Sequence, residues 1–461
     1  MRHSFPKLRH WIHPALAWGW IWCGLGMVGA GGQLAAQTLV DAYYGQGATS
    51  WEVWGDQRSN ALSSGFAHTM YEGGFVGREV FQEVLAEHPA MGGLGLSAGW
   101  HRTWSNEPFA KINAKGKREW ALAGSFGSEL LVSTLWRREL FDLVFLGNAG
   151  HTGRIDPLTG TGVRLGVFNR LSLGLENIET RQRIELGVVQ RVAGAEFGIL
   201  NGSFWVSEAA DSMSLSMQTY ASTSLDQLPD SGGFQIQHAL PAYGVGVSGS
   251  LPLSSDMWPL QFRVDFRDIG VFWEPAGGML AVVDTGFSTT GLPAFGTGWA
   301  WEGLLEDGVP TSVDELVFST DSALGRLLML PSQISATLQW WPQPEWQVQA
   351  KIRGGSWMPE PQMTAGIGWI PSGRVALGVD VRTGGWGGVR PVTWVKVRVS
   401  QKRVLGIEIE DPLGWAWGAE WAQNTYGRGV RIQLERLPGE RWTRYAGFNS
   451  RDLKVKSSKS S

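Results

Sequence analysis

The feature that most constrains this chain is a period-two alternation of apolar and charged residues that returns again and again along its second half. Leu260-Gln261-Phe262-Arg263-Val264-Asp265-Phe266-Arg267 places four apolar side chains on one face of an extended segment and Gln, Arg, Asp and Arg on the other. Side chains of a β-strand point alternately to opposite faces, so such a segment is a strand lying between two very different surroundings. The pattern returns in Trp346–Arg353, Arg374–Arg382, Val395–Ser400 and Val430–Glu435, and more weakly in Arg183–Val188, Met213–Gln218 and Ile334–Trp340.

Compact turn signals separate these segments: Pro342-Gln343-Pro344-Glu345, Pro371-Ser372-Gly373 and Pro438-Gly439-Glu440. Short turns between alternating strands make an antiparallel meander in which chain neighbours pair. A soluble sandwich would bury the apolar faces, whereas a transmembrane barrel turns them to lipid and encloses the charged ones.

Three observations favour the barrel. The first is an export signal. Residues 1–36 carry Arg2, Lys7 and Arg9 without an acid, His10 to Val40 contains no charge, and small residues Ala35-Ala36 precede Gln37. That order is a positive n-region, an apolar h-region and a cleavage site, with the uncharged run as a membrane anchor the competing reading. The second is the one-sided distribution of charge. The third is tryptophan: 26 in 461 residues, with Trp340, Trp341, Trp346, Trp369, Trp386, Trp394, Trp415, Trp417 and Trp421 where strands meet turns, as an interfacial girdle requires.

Charge and composition exclude other classes. The net charge of -3 falls to -6 once the three signal positives are removed, which is no field for nucleic acid. The single cysteine, Cys23, lies within the h-region, so the exported chain has no disulfide and needs another restraint, which a closed sheet supplies.

The expected fold is all-β: a transmembrane antiparallel up-and-down β-barrel of roughly 14 strands with short helical insertions. The expected organisation is a signal peptide over 1–36, the barrel over 37–450 and a basic Ser/Lys tail over 451–461. Helical insertions are expected near 77–88, from the spacing of Val80, Phe81, Val84 and Leu85, and near 312–329, from the capping-box signature Ser312-Val313-Asp314-Glu315. Residues 270–310 read as a long loop region with room for a hairpin, and Trp442–Phe448 as the last strand.

The order of segments also carries a resemblance. Gly73 to Phe81 leads into His88 to Leu96, Arg183 to Gly194 follows, and then Val264 to Trp273, where Asp268-Ile269-Gly270-Val271-Phe272-Trp273 approximates an Asp-x-Gly-x-x-Trp pattern, and Leu330 to Ala336. This succession resembles a Bacteroidota-type outer-membrane β-barrel family of unknown function, similar in architecture to long-chain fatty-acid transporters and type IX secretion-associated barrels, over residues 40–450. The resemblance implies a location and a strand number. It carries no activity, and the Asn-Pro-Ala segment of many fatty-acid transporter-like barrels is missing.

Catalytic and metal chemistry find no support. His68, His88, His101, His151 and His238 form no ligand spacing, and Gly150-His151-Thr152-Gly153 and Asn201-Gly202-Ser203 lack a nucleophile elbow. Gly384-Gly385-Trp386-Gly387-Gly388 lacks the Lys-Ser/Thr of a phosphate loop and reads as a strand connection. No catalytic residue, metal or cofactor is expected. The lumen-facing candidates are Arg263, Asp265, Arg267, Gln347, Gln349, Lys351, Arg353, Lys396, Arg398, Arg431 and Glu435. Their mixed signs speak against strong ion selectivity. The expected partners are outer-membrane lipid and an envelope protein. The expected role is a channel or transporter for small or lipophilic solutes; a docking component of an envelope machine comes second, and an envelope hydrolase is a remote third.

Overall fold

The computed structural model describes residues 49–66, 77–106, 110–111, 118–177, 180–224, 241–254, 260–275, 279–290, 319–322, 325–343, 345–372, 374–400, 403–413 and 425–436. The signal segment, Trp442–Phe448 and the basic tail lie outside these residues.

Among the described residues, twenty strands form one sheet. In the first half they are β1 (Thr49–Ser59), β2 (Met91–Ser105), β3 (Ala110–Lys111), β4 (Arg118–Arg137), β5 (Ile155–Pro157), β6 (Gly162–Asn177), β7 (Arg183–Val206), β8 (Ser212–Thr223) and β9 (Ala242–Ser254). The second half supplies β10 (Leu260–Glu274), β11 (Met279–Thr290), β12 (Ser319–Ser322), β13 (Arg326–Met329), β14 (Gln333–Gln343), β15 (Trp346–Gly355) and β16 (Gln362–Ser372). It ends with β17 (Val375–Gly384), β18 (Gly387–Ser400), β19 (Arg403–Glu410) and β20 (Gly427–Arg436).

Fourteen of these close a ring. Antiparallel pairing runs β1-β2-β4-β6-β7-β9-β10-β14 and on through β15, β16, β17, β18, β19 and β20. β20 then pairs with β1, Thr49 opposite Arg436 and Arg58 opposite Gly427. A closed sheet leaves no strand edge unpaired, the condition for a sheet in an apolar solvent. Because both edges of β20 are occupied, Gly427–Arg436 is the closing strand, and the ring needs no contribution from Trp442–Phe448.

The alternation sorts the two faces as a barrel requires. Ile184, Leu186 and Val188 on β7, Leu260 and Phe262 on β10, Ile334 and Leu338 on β14, and Val379 and Val381 on β17 are exposed on the outside. Their sequence neighbours Glu185, Ser335, Thr337 and Asp380 are buried on the inside. Trp340 and Trp346 stand exposed on either side of the short 344–345 connection, and Trp346 stacks on Trp369 with 6.2 Å between ring centroids. Trp386 and Trp394 depart from the expected girdle: both turn inward and are buried, Trp386 donating to Ser133 Oγ at 3.0 Å and Trp394 to Asp380 Oδ1 at 3.3 Å.

Between ring strands, the connections at one end are short in sequence, 178–182, 255–259, 344–345, 373–374 and 401–402, with 106–117 longer, and those at the other are mostly longer. The β17–β18 turn at the long-loop end is tight as well, and it uses Gly384 and Gly385 with φ of 77° and 75°, a conformation only glycine enters freely. The long-loop end also carries two helices, α1 (Arg78–Glu87), where the periodicity places it, and α2 (Arg138–Leu146), which continues β4. Phe66, Leu85 and Phe141 pack between them. Among the described residues, no helix is long and apolar enough to cross a membrane.

Two expectations are corrected. Within 312–329, residues 319–322 and 326–329 are strands rather than helix, β12 paired to β11 and β13 to β10; residues 312–318 lie outside the description. Hydrogen-bonding partners on the neighbouring strands override a local capping signature. Within 270–310, β10 continues to Glu274 and β11 is paired with β8 along its whole length, so much of the expected loop is sheet. Strand β7, 24 residues long, pairs with β9 through Arg191 and with β8 from Ala195 onward. The ladder β7–β8–β11–β12 therefore prolongs the wall on one side of the barrel.

Candidate functional site

The inside of the barrel is built from charge, and register explains which charges meet. At β10 the ladder slips between Phe266 and Ile269, with Asp268 at φ 54°. This bulge turns Arg267 and Asp268 toward the same side instead of opposite ones. Arg170 of β6 then bridges two acids: its Nη1 lies 2.7 Å from Glu129 Oε2 and its Nε 2.5 Å from Asp268 Oδ2. Arg267 Nη2 reaches the same Glu129 carboxylate at 3.0 Å.

A second cluster sits at the seam between the chain ends. Glu410 of β19 accepts from Arg58 Nε and Nη2 at 3.1 and 3.0 Å and from Arg390 Nε at 2.5 Å, with Arg382 Nη1 3.6 Å away. Glu410 and Arg390 are 2% and 1% exposed. Such charges are tolerated because each carboxylate faces guanidinium donors that replace its water. Further toward the long-loop end, Glu274 pairs with Arg191 and with Arg326. Between the Arg170 and Glu274 clusters lies an apolar layer of Leu131, Phe168, Phe272 and Leu330, with Trp357 packed against it.

Between these clusters lies a cavity of about 360 Å³. Its wall includes Glu52, Asp56 and Arg58 of β1, Glu129 of β4, Asp265 and Arg267 of β10, Lys351 and Arg353 of β15 and Arg431 of β20. Met358 and Trp386, from turns at the long-loop end, also line it. The volume is in the range of small-molecule sites, roughly 300–1,000 Å³.

The eleven sequence candidates divide by partner. Arg263 Nε pairs with Asp265 Oδ2 at 3.0 Å, Lys396 Nζ with Glu435 Oε1 at 3.2 Å, and Arg431 Nε with Glu52 Oε1 at 3.2 Å. Arg267 joins Glu129 as above, and Gln349 Nε2 donates to Asp380 at 2.8 and 2.9 Å. Among the described residues, Gln347, Lys351, Arg353 and Arg398 have no side-chain hydrogen bond or ion pair; the Gln347 amide, the Arg353 Nε and the Arg398 Nε and Nη2 are buried in that condition. Asp265, Arg267, Lys351, Arg353 and Arg431 share the cavity, and the other six lie outside its lining.

Sequence reading missed the acids and arginines that do most of the pairing: Glu52, Asp56, Arg58, Glu129, Arg170, Asp268, Arg390 and Glu410. Glu410 ends the alternation Ile407-Glu408-Ile409-Glu410 and could have been found by extending the pattern, whereas Arg390, in Val389-Arg390-Pro391-Val392, shares its face with apolar Val392 and stands out less. Arg170 heads the alternation Arg170-Leu171-Ser172-Leu173-Gly174-Leu175-Glu176 and could have been found the same way, whereas Glu129 lies among Gly, Ser and Leu and gives no such signal.

His151 is fully buried. Its Nδ1 lies 2.6 Å from Asp156 Oδ2 and its Nε2 3.5 Å from Asp142 Oδ2 of α2. Ser203 stands on the opposite face of β7 from Phe204, whose ring is 6.0 Å from that of His151, so the two fragments suspected of hydrolytic chemistry do not meet. His88, after α1, accepts from Trp136 Nε1 at Nε2, 2.7 Å away, while its Nδ1 lies 2.6 Å from the Pro89 carbonyl. Burial lowers its pKa. Among the described residues, no group of three or more His, Cys, Asp or Glu could hold a metal ion.

No protein-family model matches the chain, and no curated protein does. Among solved structures, the Ralstonia pickettii toluene transporter TbuX is similar with a TM-score of 0.34 at 8% identity, over 85% of this chain and 90% of that one. A deletion mutant of the monoaromatic hydrocarbon channel TodX gives 0.33 at 9%, over 86% and 90%, and a triple mutant of Rhodopseudomonas blastica porin gives 0.22 at 6%, over 84% and 99%. At scores this far below 0.5, the fold rests on the chain's own pairing register.

Proposed function

We propose that the chain is an exported outer-membrane barrel that passes small solutes through its interior. The observation that carries this reading is the inversion of the two faces: apolar side chains stand exposed around the outside, while charged and amide side chains are buried around an internal cavity of about 360 Å³. A soluble protein with this outer face would expose far more contiguous apolar surface than water tolerates. In a bilayer the same face is the required one. The polar interior offers a dissolved solute hydrogen-bonding groups in place of its water, which is what a selective pore must do.

The ion pairs and the apolar layer of Leu131, Phe168, Phe272 and Leu330 fill part of the lumen. Passage therefore favours small solutes over large ones. A docking role in an envelope assembly is the second reading, and the prolonged β7–β8–β11–β12 wall favours it, because sheet beyond the bilayer serves no transmembrane purpose.

Two measurements test the proposal. Membrane fractionation with boiled and unboiled gel samples should recover the chain in the outer membrane with a heat-dependent shift in mobility. Liposomes containing the folded protein should then take up small solutes, with uptake falling as solute size rises. Sealed liposomes with correctly folded protein would overturn the channel and leave docking; a soluble periplasmic protein would overturn both.

A further inference from the structure

Ion pairing around the cavity is nearly complete, and where it stops is informative. Arg58 is taken by Glu410 and Asp56, Arg267 by Glu129, Arg431 by Glu52, and Asp265 by Arg263. Two wall cations remain, Lys351 and Arg353. They are two residues apart on β15, so both point inward. Register puts Lys351 between Thr337 and Thr364, and Arg353 between Ser335 and Gln362. Every cross-strand neighbour in these two rows is an uncharged polar residue, so neither cation meets a carboxylate on the adjacent strands.

Arg353 Nε and, on the strands flanking the two cations, Thr337 Oγ1 and Gln362 Nε2 are also buried without a hydrogen-bond partner among the described residues. Enclosed cations are normally paired, because removing a charge from water without compensation costs several kcal/mol. Water in the cavity compensates in part, and an anion that shares both charges compensates better.

Here the structure goes beyond the even mixture of signs that the sequence suggests. We propose that Lys351 and Arg353 form a binding position for a small oxyanion, a carboxylate or phosphate group, inside the barrel. The guanidinium fork of Arg353 suits two oxygens of one such group, and the ammonium of Lys351 adds a point charge beside it. Asp56, Glu52, Glu129 and Asp265 line the same cavity but are each engaged by arginine, which reduces their repulsion of an incoming anion. As the substrate class of the passage, the proposal rests on the channel reading above; as a binding site it does not.

Calorimetric titration of the detergent-solubilised full chain with inorganic phosphate and, separately, with succinate measures binding without requiring passage. Saturable binding of either anion that weakens about tenfold or more in Lys351→Gln and in Arg353→Gln, and persists in Arg398→Gln, is the expected result. The anion that binds identifies the group as phosphate or carboxylate. Binding of neither anion, or binding unmoved by both cavity substitutions, overturns the site. Each variant must keep its heat-dependent gel shift, and Arg353→Lys, which retains the charge, should bind more tightly than Arg353→Gln. Conductance of the same preparations in planar bilayers tests the channel separately: anion binding without conductance removes the passage and keeps the site, whereas conductance without anion binding removes the site alone.

Discussion

Replacing Glu410 by alanine tests the view that the barrel's interior is held by shared buried charges. The Glu410 carboxylate is 2% exposed and is the common partner of Arg58 at 3.0 Å and Arg390 at 2.5 Å, with Arg382 at 3.6 Å. Its removal leaves two almost fully buried guanidinium groups without their principal acceptor, although Arg58 keeps Asp56 at 3.3 Å. Removing one member of a buried pair costs about 3–5 kcal/mol, and Asp56 places the expected loss toward the lower end, about 3 kcal/mol. Reversible urea unfolding of the refolded protein in lipid vesicles, followed by tryptophan fluorescence, measures it. Glu410→Ala should lose about 3 kcal/mol, and Arg58→Ala combined with Glu410→Ala should lose clearly less than the sum of the single changes, since the second removal relieves a charge stranded by the first. A loss below about 1 kcal/mol in Glu410→Ala, with additive single changes, would refute the reasoning and mean that water or lumenal ions already screen this cluster.

Three further outcomes follow from particular contacts. Leu186, 67% exposed on the outer face of β7, should tolerate Val but lose roughly 2–4 kcal/mol as Arg if it lies near the bilayer midplane, read by the same unfolding assay. Gly378→Ala drives a methyl into the ring of Trp394 at Cζ2; the crowding should cost about 1–3 kcal/mol, and Trp394→Leu should restore part of it. His88 is held neutral by burial, with Trp136 donating to it. Its folded pKa lies below the unfolded value of about 6.5, so its contribution is complete above that pH and is lost as pH falls below it. Protection of the α1 and α2 amides, taken relative to the intrinsic exchange rate at each pH, should therefore fall between pH 7.5 and 5, and His88→Gln should remove the histidine's share of that change.

The barrel was legible because lipid and lumen impose opposite demands on successive residues, and β10, β15, β17, β18 and β20 obey them with charged side chains that leave no ambiguity. The strands of the first half are harder to read. Gly124, Ser125 and Gly127 on β4 and Gly244, Gly246 and Ser248 on β9 satisfy the same alternation with small residues, which carry little contrast. Helix α2 was missed because Leu140-Phe141-Asp142-Leu143 follows directly on a strand, and an apolar run does not announce where the chain changes period. The misreading at 319–329 has the opposite cause, a good local helix signal outweighed by strands waiting on either side. The cavity was only half legible. Eleven inward residues could be named from parity, but which of them keep a free charge depends on Glu129, Asp56 and Glu410, whose partners lie as much as 352 residues away and meet them only after closure.

Around the fourteen-strand ring, each member is the next ring strand in the chain except at one place, the join of β1 to β20. It is the costliest single closure of the ring, about 5 kcal/mol for a span of some 380 residues, and ten residue pairs oppose it. Once it is made, the ring has no beginning. Linking residues 49 and 436 and reopening the chain at a tight turn such as 373–374 would preserve every strand neighbour while moving the costly join elsewhere. Such a permuted chain would show whether the order of folding follows the geometry of the ring or only the position at which synthesis starts.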